Sequence, residues 1–311
     1  MNNMKRFLLL ILVCLTFTAC AGLAYSSDQD RYVIIPETPR PGDPLTIATS
    51  TYAKEAILLV NDRQIGKAAF VFVPDEKRIP CYFAAVLAIP ITLLSESAII
   101  RVKNDTDVIY EIPIKITPRT FHSETLHLNA ANTNLVLGHN PEREVESQRL
   151  WQILNTTGDQ IYHTDQFMLP VTSTRRTSTF GSRRINRYSD GRSITNTHFG
   201  IDFGIPTGTE VVACGTGKVV LARMRIVSGY SVIIEHWPGM YSLYYHLDSI
   251  NVEEGEIVKI GDLIGLSGST GFSTGPHLHW ELRLNSESTD PDAFVTRPIL
   301  DKNTIIRKLF R

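Results

Sequence analysis

From Val211 onward glycine recurs every few residues, at positions 215, 217, 229, 239, 255, 261, 265, 268, 271 and 275. Between these glycines lie short runs rich in β-branched, aromatic and aliphatic residues: Val219-Val-Leu-Ala, Ser231-Val-Ile-Ile-Glu-His236, Tyr241–Leu247, Glu256-Ile-Val and Leu278–Leu284. Runs of this length, closed off by turn residues, specify strands rather than helices. The C-terminal half is therefore expected to be built from strand, turn and strand again.

Five side chains in this half share one chemistry: His198 and Asp202, then His246, then His277 and His279. Imidazole and carboxylate are ordinary zinc ligands, and a catalytic zinc takes three protein ligands and leaves a position open. The set is large enough for a metal, with two histidines left over to move protons. Residues i and i+2 of a strand point to one face, so His277 and His279 are expected side by side. His198 and Asp202 are four apart. On a straight strand they would lie about 13 Å from each other at roughly 3.3 Å per residue, too far to share an ion. Phe199-Gly-Ile-Asp-Phe-Gly-Ile-Pro206 is a poor helix, so a bend is expected at Gly200, with a strand beginning near Asp202. Spacing leaves open which of His277 and His279 touches the metal, and His236 reads as a structural strand histidine. There is no HExxH motif, hence no glutamate base of that type. Gly268–Pro276 is rich in glycine but lacks the Gly-Lys-Ser/Thr ending of a phosphate-binding loop, which excludes a nucleotide site.

Thr177–Arg184, His198–Phe203, Pro206–Ala213, Tyr244–Leu247 and Thr270–Glu281 occur in an order that resembles the M23 family of zinc metallopeptidases, the lysostaphin-like cell-wall endopeptidases. The resemblance covers about residues 170–295, with Trp280 where phenylalanine is commoner. It implies an antiparallel β-sheet peptidase domain, a Zn2+ cofactor and peptidoglycan as partner. It also implies His198, Asp202 and His279 as metal ligands, with His246 and His277 as catalytic histidines beside them. One of these would take a proton from the attacking water, and the other would stabilise the oxyanion or protonate the leaving amine. Which does which stays open. The expected function is zinc-dependent hydrolysis of stem peptides or cross-links. The alternative is a non-enzymatic envelope factor that binds the wall or activates a separate amidase.

The first 24 residues read as an export signal: Lys5 and Arg6 precede an apolar run from Phe7 to Val13 that extends, with interruptions, to Ala19. Phe17-Thr-Ala-Cys20-Ala resembles a lipobox, which would lipidate Cys20 and anchor the protein in the cell envelope. Cleavage after Ala21 or Ala24 would instead leave a soluble exported protein. Cys81 and Cys214 lie in different expected domains, so no disulfide framework is indicated. Net charge is −1, and nothing points to nucleic acid. The sequence is silent on oligomeric state.

Residues 25–118 carry seven candidate strands separated by turn signals such as Asn61-Asp62 and Asn104-Asp105. They are expected to form an immunoglobulin-like β-sandwich, giving an all-β chain overall. Residues 119–170 are expected to be a linker with one short helix starting at Asn140-Pro141-Glu142 and ending near Asn155, its apolar face made by Val145, Leu150, Ile153 and Leu154. Residues 171–311 would form the peptidase domain. At its start, Arg175, Arg176, Arg183, Arg184, Arg187 and Arg192 stand against Asp190 alone, and a basic rim that receives substrate carboxylates is expected there.

Overall fold

The computed structural model describes residues 32–74 and 80–310. The expected export signal and Cys20 lie outside the described residues. Among the described residues no helix is long and apolar enough to cross a membrane.

The N-terminal part contains eight strands: β1 (Tyr32–Ile35), β2 (Pro44–Thr49), β3 (Glu55–Val60), β4 (Arg63–Ala69), β5 (Val71–Val73), β6 (Tyr82–Ala88), β7 (Ser97–Lys103) and β8 (Val108–Lys115). They form two antiparallel sheets, β1-β2-β6-β5 and β4-β3-β7-β8, packed as an immunoglobulin-like sandwich. The apolar run over 68–73 is divided between two strands, its first residues closing β4 and its last forming β5. Asn61 and Asp62 join β3 to β4 with φ of 49° and 60°. That left-handed pair is the type I′ geometry, whose twist matches the flanking strands.

Strand β6 explains its own unbroken apolar sequence. Ala85 and Leu87 face the second sheet, in a core with Leu58, Ile100 and Ile112. Ala84, Val86 and Ala88 face the other way, in a core with Trp237, Met240, Leu282 and Phe294. One sheet of the sandwich is thus covered on both faces, the second cover being the C-terminal half. Asn285 Nδ2 donates to Val86 O at 3.2 Å, and Arg119 bonds both Asp43 and Asp290 across the same junction.

Between the two parts come strand β9 (Ser123–His127) and helices α1 (Ala130–Leu137) and α2 (Pro141–Asn155). Helix α2 is the expected one, capped by the Asn140 side chain accepting from Glu142 N at 3.0 Å, with proline in its first turn. Leu150, Ile153 and Leu154 pack against Leu221, Ile233, Tyr241 and Leu243, whereas Val145 remains exposed.

The C-terminal strands are β10 (Arg176–Ser178), β11 (Arg183–Arg187), β12 (Ser193–Thr197), β13 (Gly200–Phe203), β14 (Glu210–Val212) and β15 (Gly217–Arg225), followed by β16 (Gly229–Trp237), β17 (Met240–Ile250), β18 (Ile257–Val258), β19 (Leu263–Ser267), β20 (Leu278–Leu284) and β21 (Glu287–Thr289). Helices α3 (Pro291–Thr296) and α4 (Lys302–Phe310) follow. The main antiparallel sheet runs β10-β13-β20-β17-β16-β15-β18, with β21 on β20 and with β19 linking β14 to β17. Strand β11 pairs antiparallel with β12 but parallel with β9, so the connecting segment contributes a strand to the C-terminal half.

Alternation along β20 sorts chemistry from packing. Leu278, Trp280, Leu282 and Leu284 enter the core shared with Phe203 and Tyr244. His279, Glu281 and Arg283 fall on the opposite face. Cys214 is free and buried, and burial pushes its thiol up to about 12, as expected of an inert small hydrophobe. Cys81 is disulfide-bonded, and Cys214 is not its partner.

Candidate metal centre

Asp202 and His279 lie directly opposite each other on β13 and β20, and His279 lies opposite Tyr245 on β17. The three side chains therefore share a face. His198 comes just before β13, and the bend at Phe199-Gly200 swings its ring back over Asp202. Gly200 cannot carry a side chain here: a Cβ would lie 2.4 Å from Trp280 O and 2.8 Å from His279 Cε1. His198 Nε2 is then 3.1 Å from Asp202 Oδ1 and 3.0 Å from His279 Nδ1, and His279 Nδ1 is 2.9 Å from Asp202 Oδ1. All three residues are buried.

The outer nitrogens fix the tautomers. His198 Nδ1 is 3.0 Å from Thr179 O, a carbonyl that can only accept, so the proton is on Nδ1 and the Nε2 lone pair faces inward. His279 Nε2 lies 3.4 Å from Glu281 Oε2, which likewise can only accept as a carboxylate, so Nδ1 faces inward. Two ring lone pairs and a carboxylate oxygen thus converge within about one hydrogen-bond length. Such a cluster requires something positive at its centre, either a proton or a cation. The donor set suits zinc, for which two imidazoles and a carboxylate are ordinary ligands. The residues present therefore fit a zinc ion.

The same electrostatics appear in the acidities. Burial alone would raise Asp202, but its close contacts with the His198 and His279 rings prevail and hold it well below the usual carboxylate range. Burial opposes charge on His279, yet its hydrogen bonds to Asp202 and Glu281 lift it to about 9. A metal would have to displace that proton.

His246 and His277 complete the cluster without joining the triad. His277 Nδ1 lies 2.8 Å from Gly275 O, and His246 Nδ1 lies 2.8 Å from Thr270 O. Both rings therefore present Nε2, and their centroids are 4.7 Å apart. His277 Nε2 is 3.9 Å from Asp202 Oδ1. Burial, then the nearby His277 and His279, pushes His246 down to about 3, and burial also lowers His277. Both rings are neutral at pH 7.

His277 sits just ahead of β20 on an isolated bridge to Gly268. His246 reaches the site by a device the sequence hides. Val232 pairs with Tyr244 and Tyr230 with Leu247, so Ser231 faces two residues, Tyr245 and His246. This bulge, with His246 at φ 62°, lets consecutive residues serve one face. Tyr245 stacks on the His279 ring at 5.5 Å and 9°, while His246 turns towards His277. Regular alternation would have sent His246 to the core. His236, by contrast, is fully buried, with Nδ1 2.9 Å from Thr216 O and Nε2 2.7 Å from Ser242 Oγ, the structural role expected of it.

Residues 196–291, which contain all five side chains, match the sequence model described as peptidase family M23. That match spans 96 of the chain's 311 residues. An uncharacterized metalloprotease from Buchnera aphidicola is 39% identical over 120 residues, 39% of this chain and 32% of that protein. Peptidoglycan DD-endopeptidase ShyB from Vibrio cholerae is 42% identical over 93 residues, 30% of this chain and 22% of that protein. The chain thus matches less than a third of the length of either relative. A solved structure from Pseudomonas aeruginosa assigned to peptidase M23 superposes with a TM-score of 0.60 at 22% identity, covering 83% of this chain and 94% of that one. It shares the fold.

Of the arginines expected as an open rim, Arg176, Arg183, Arg184 and Arg192 are held by partners within the protein. Arg184 bonds Asp202 Oδ2 and, at 2.6 Å, Glu124 Oε1. Arg176 pairs with Asp292 and Arg192 with Asp190. Arg183 donates to Thr197 Oγ1 at 2.8 Å. Asp202, Glu124, Asp292 and Thr197 lie outside 171–192, on strands or a helix, where residue counting along that stretch could not reveal them.

Proposed function

We propose that the chain is a zinc-dependent endopeptidase that hydrolyses peptide bonds in the stem peptides or cross-links of bacterial peptidoglycan. The convergence of His198 Nε2, Asp202 Oδ1 and His279 Nδ1 carries this reading, and the named activity of the Vibrio relative supports the substrate class. His198, Asp202 and His279 would hold the ion. When bound, zinc supplies Lewis acidity towards the scissile carbonyl and makes water acidic enough to attack at neutral pH.

The chain's own contribution is proton management. His246 and His277 are neutral, with Nε2 free and facing the cluster. One accepts the proton of the attacking water. The other donates a hydrogen bond to the developing oxyanion or a proton to the leaving amine. Their backbone partners, Thr270 O and Gly275 O, hold each ring in the required tautomer. Because the substrate is extracytoplasmic, the protein would act after export, consistent with the expected signal at its N-terminus.

The test is digestion of purified peptidoglycan by the chain, as prepared, with chelator, and after zinc is restored, with mass spectrometry of the released fragments. Zinc-dependent release of new stem-peptide termini is expected and names the bond. A folded, zinc-loaded protein that releases nothing would reject the enzyme and favour an envelope factor. One feature favours that second reading enough to keep it in the test: α1 is fastened to the loop ahead of His277, Asn132 Nδ2 donating to Ser273 O at 2.9 Å.

A further inference from the structure

Strand β9 lies outside the residues that match the family, yet it reaches the metal centre. Its parallel pairing with β11 sets Glu124 beside Arg184. A single oxygen of Glu124, Oε1, accepts from Arg184 Nε at 2.6 Å and from Ser178 Oγ at 2.7 Å. Each donor then touches one residue of the triad. Arg184 Nη2 donates to Asp202 Oδ2, the carboxylate oxygen that does not face His198 and His279. Ser178, having given its proton to Glu124, can only accept from His198 Nδ1, at 3.1 Å.

We propose that Glu124 is a positioning residue for the metal centre, holding His198 through Ser178 and Asp202 through Arg184. The inference rests on the zinc reading above. Through Arg184, Glu124 leaves Asp202 a single free oxygen to offer an ion. Through Ser178, it supplies a second acceptor beside Thr179 O for the His198 Nδ1 proton. Ligating histidines and carboxylates depend on such outer partners for orientation and basicity. Glu124 and Arg184 are both largely sheltered, with side-chain exposures of 27% and 19%, so this is not a freely solvated surface pair. The segment expected as a linker is, at this strand, part of the site.

Zinc affinity of the full chain, measured by competition with a chromophoric chelator, tests this without reference to turnover. Glu124→Gln keeps the shape but removes the charge, and Glu124→Ala removes both. Thr125→Ala, an exposed neighbour on the same strand, controls for loosening of β9. Loss of affinity of about 10–100-fold is expected for Glu124→Ala, a smaller loss for Glu124→Gln, and none for Thr125→Ala. The visible spectrum of the cobalt-substituted protein should change in the Glu124 variants alone. Parent-like affinity and spectrum in Glu124→Ala would overturn the proposal, as would equal losses in Glu124→Ala and Thr125→Ala. Failure of the parent to bind zinc would instead remove the metal reading on which the proposal stands.

Discussion

The sandwich and the peptidase sheet are both antiparallel β structures with well-filled cores, but they bury different things. In the sandwich the buried polar residues are few: Asp43, Thr46 and Thr49. No histidine occurs before His122. The peptidase sheet buries His198, Asp202, His236, His246, His279 and Glu281. Burying a polar or charged group is costly unless every such group finds a partner, so a sheet selected only for stability would look like the sandwich. Apart from His236, which lies on β16 against Phe167, the peptidase sheet carries that cost at one end, on the face of β13, β17 and β20 away from the large aromatic core. Function is located by where the sheet departs from the cheaper arrangement.

The largest break in this comparison should come from the triad. Asp202→Ala or His279→Ala removes one of three converging donors, and both bound zinc and peptidoglycan hydrolysis should be lost, read by metal analysis and fragment release. Retention of stoichiometric zinc by either variant would remove that residue from the ligand set. His246→Ala and His277→Ala should separate binding from chemistry: zinc is retained while turnover falls by about 10²–10⁴-fold. Near-normal turnover in either would strike out its proton-handling role.

The sandwich should answer in a different currency. Leu87 is 1% exposed in the inter-sheet core, and Leu87→Ala should cost about 2–5 kcal/mol of stability. Zinc content and kcat of the folded fraction should match the parent, measured by denaturant unfolding alongside turnover. A fall in kcat without a fall in stability would show that the two parts are coupled more closely than their packing suggests.

These contrasts also explain what could be read from sequence. The cap of α2 was legible because Asn140-Pro141-Glu142 is a local signal that needs no tertiary partner. Period-two alternation placed His277 and His279 together but left open which would touch a metal, and His198, Asp202 and His279 were singled out by the resemblance rather than by spacing. His246 was recognisable only through its neighbours' resemblance to a family, since alternation at Tyr245-His246 predicts the wrong face and the bulge leaves no compositional mark. Arg184 was misread as rim because its partners, Asp202 and Glu124, lie on strands brought beside it only by the fold. Strand β9 was missed for a related reason: its parallel partner is some 60 residues away, Glu124 to Arg184, and its sequence has no strong apolar alternation.

The smallest expected effect tests the comparison through pH. Burial pushes His236 down to about 3, below the ordinary value of 6.5 that an unfolded chain would show. Between those values the unfolded state binds more protons than the folded one. Stability from this group is therefore complete above pH 6.5 and is lost progressively as pH falls towards 3. The parent should lose roughly 5 °C or more of Tm between pH 7.5 and pH 5, and His236→Gln should lose less. With no histidine in the sandwich, hydrogen-exchange protection, corrected for the intrinsic rate, should fall at pH 5 in β16 and β17 before it does in β2 and β6. Equal loss of protection in all four strands would mean that acid loosens the chain through its carboxylates as a whole, and that the buried histidines are not what sets the two parts apart.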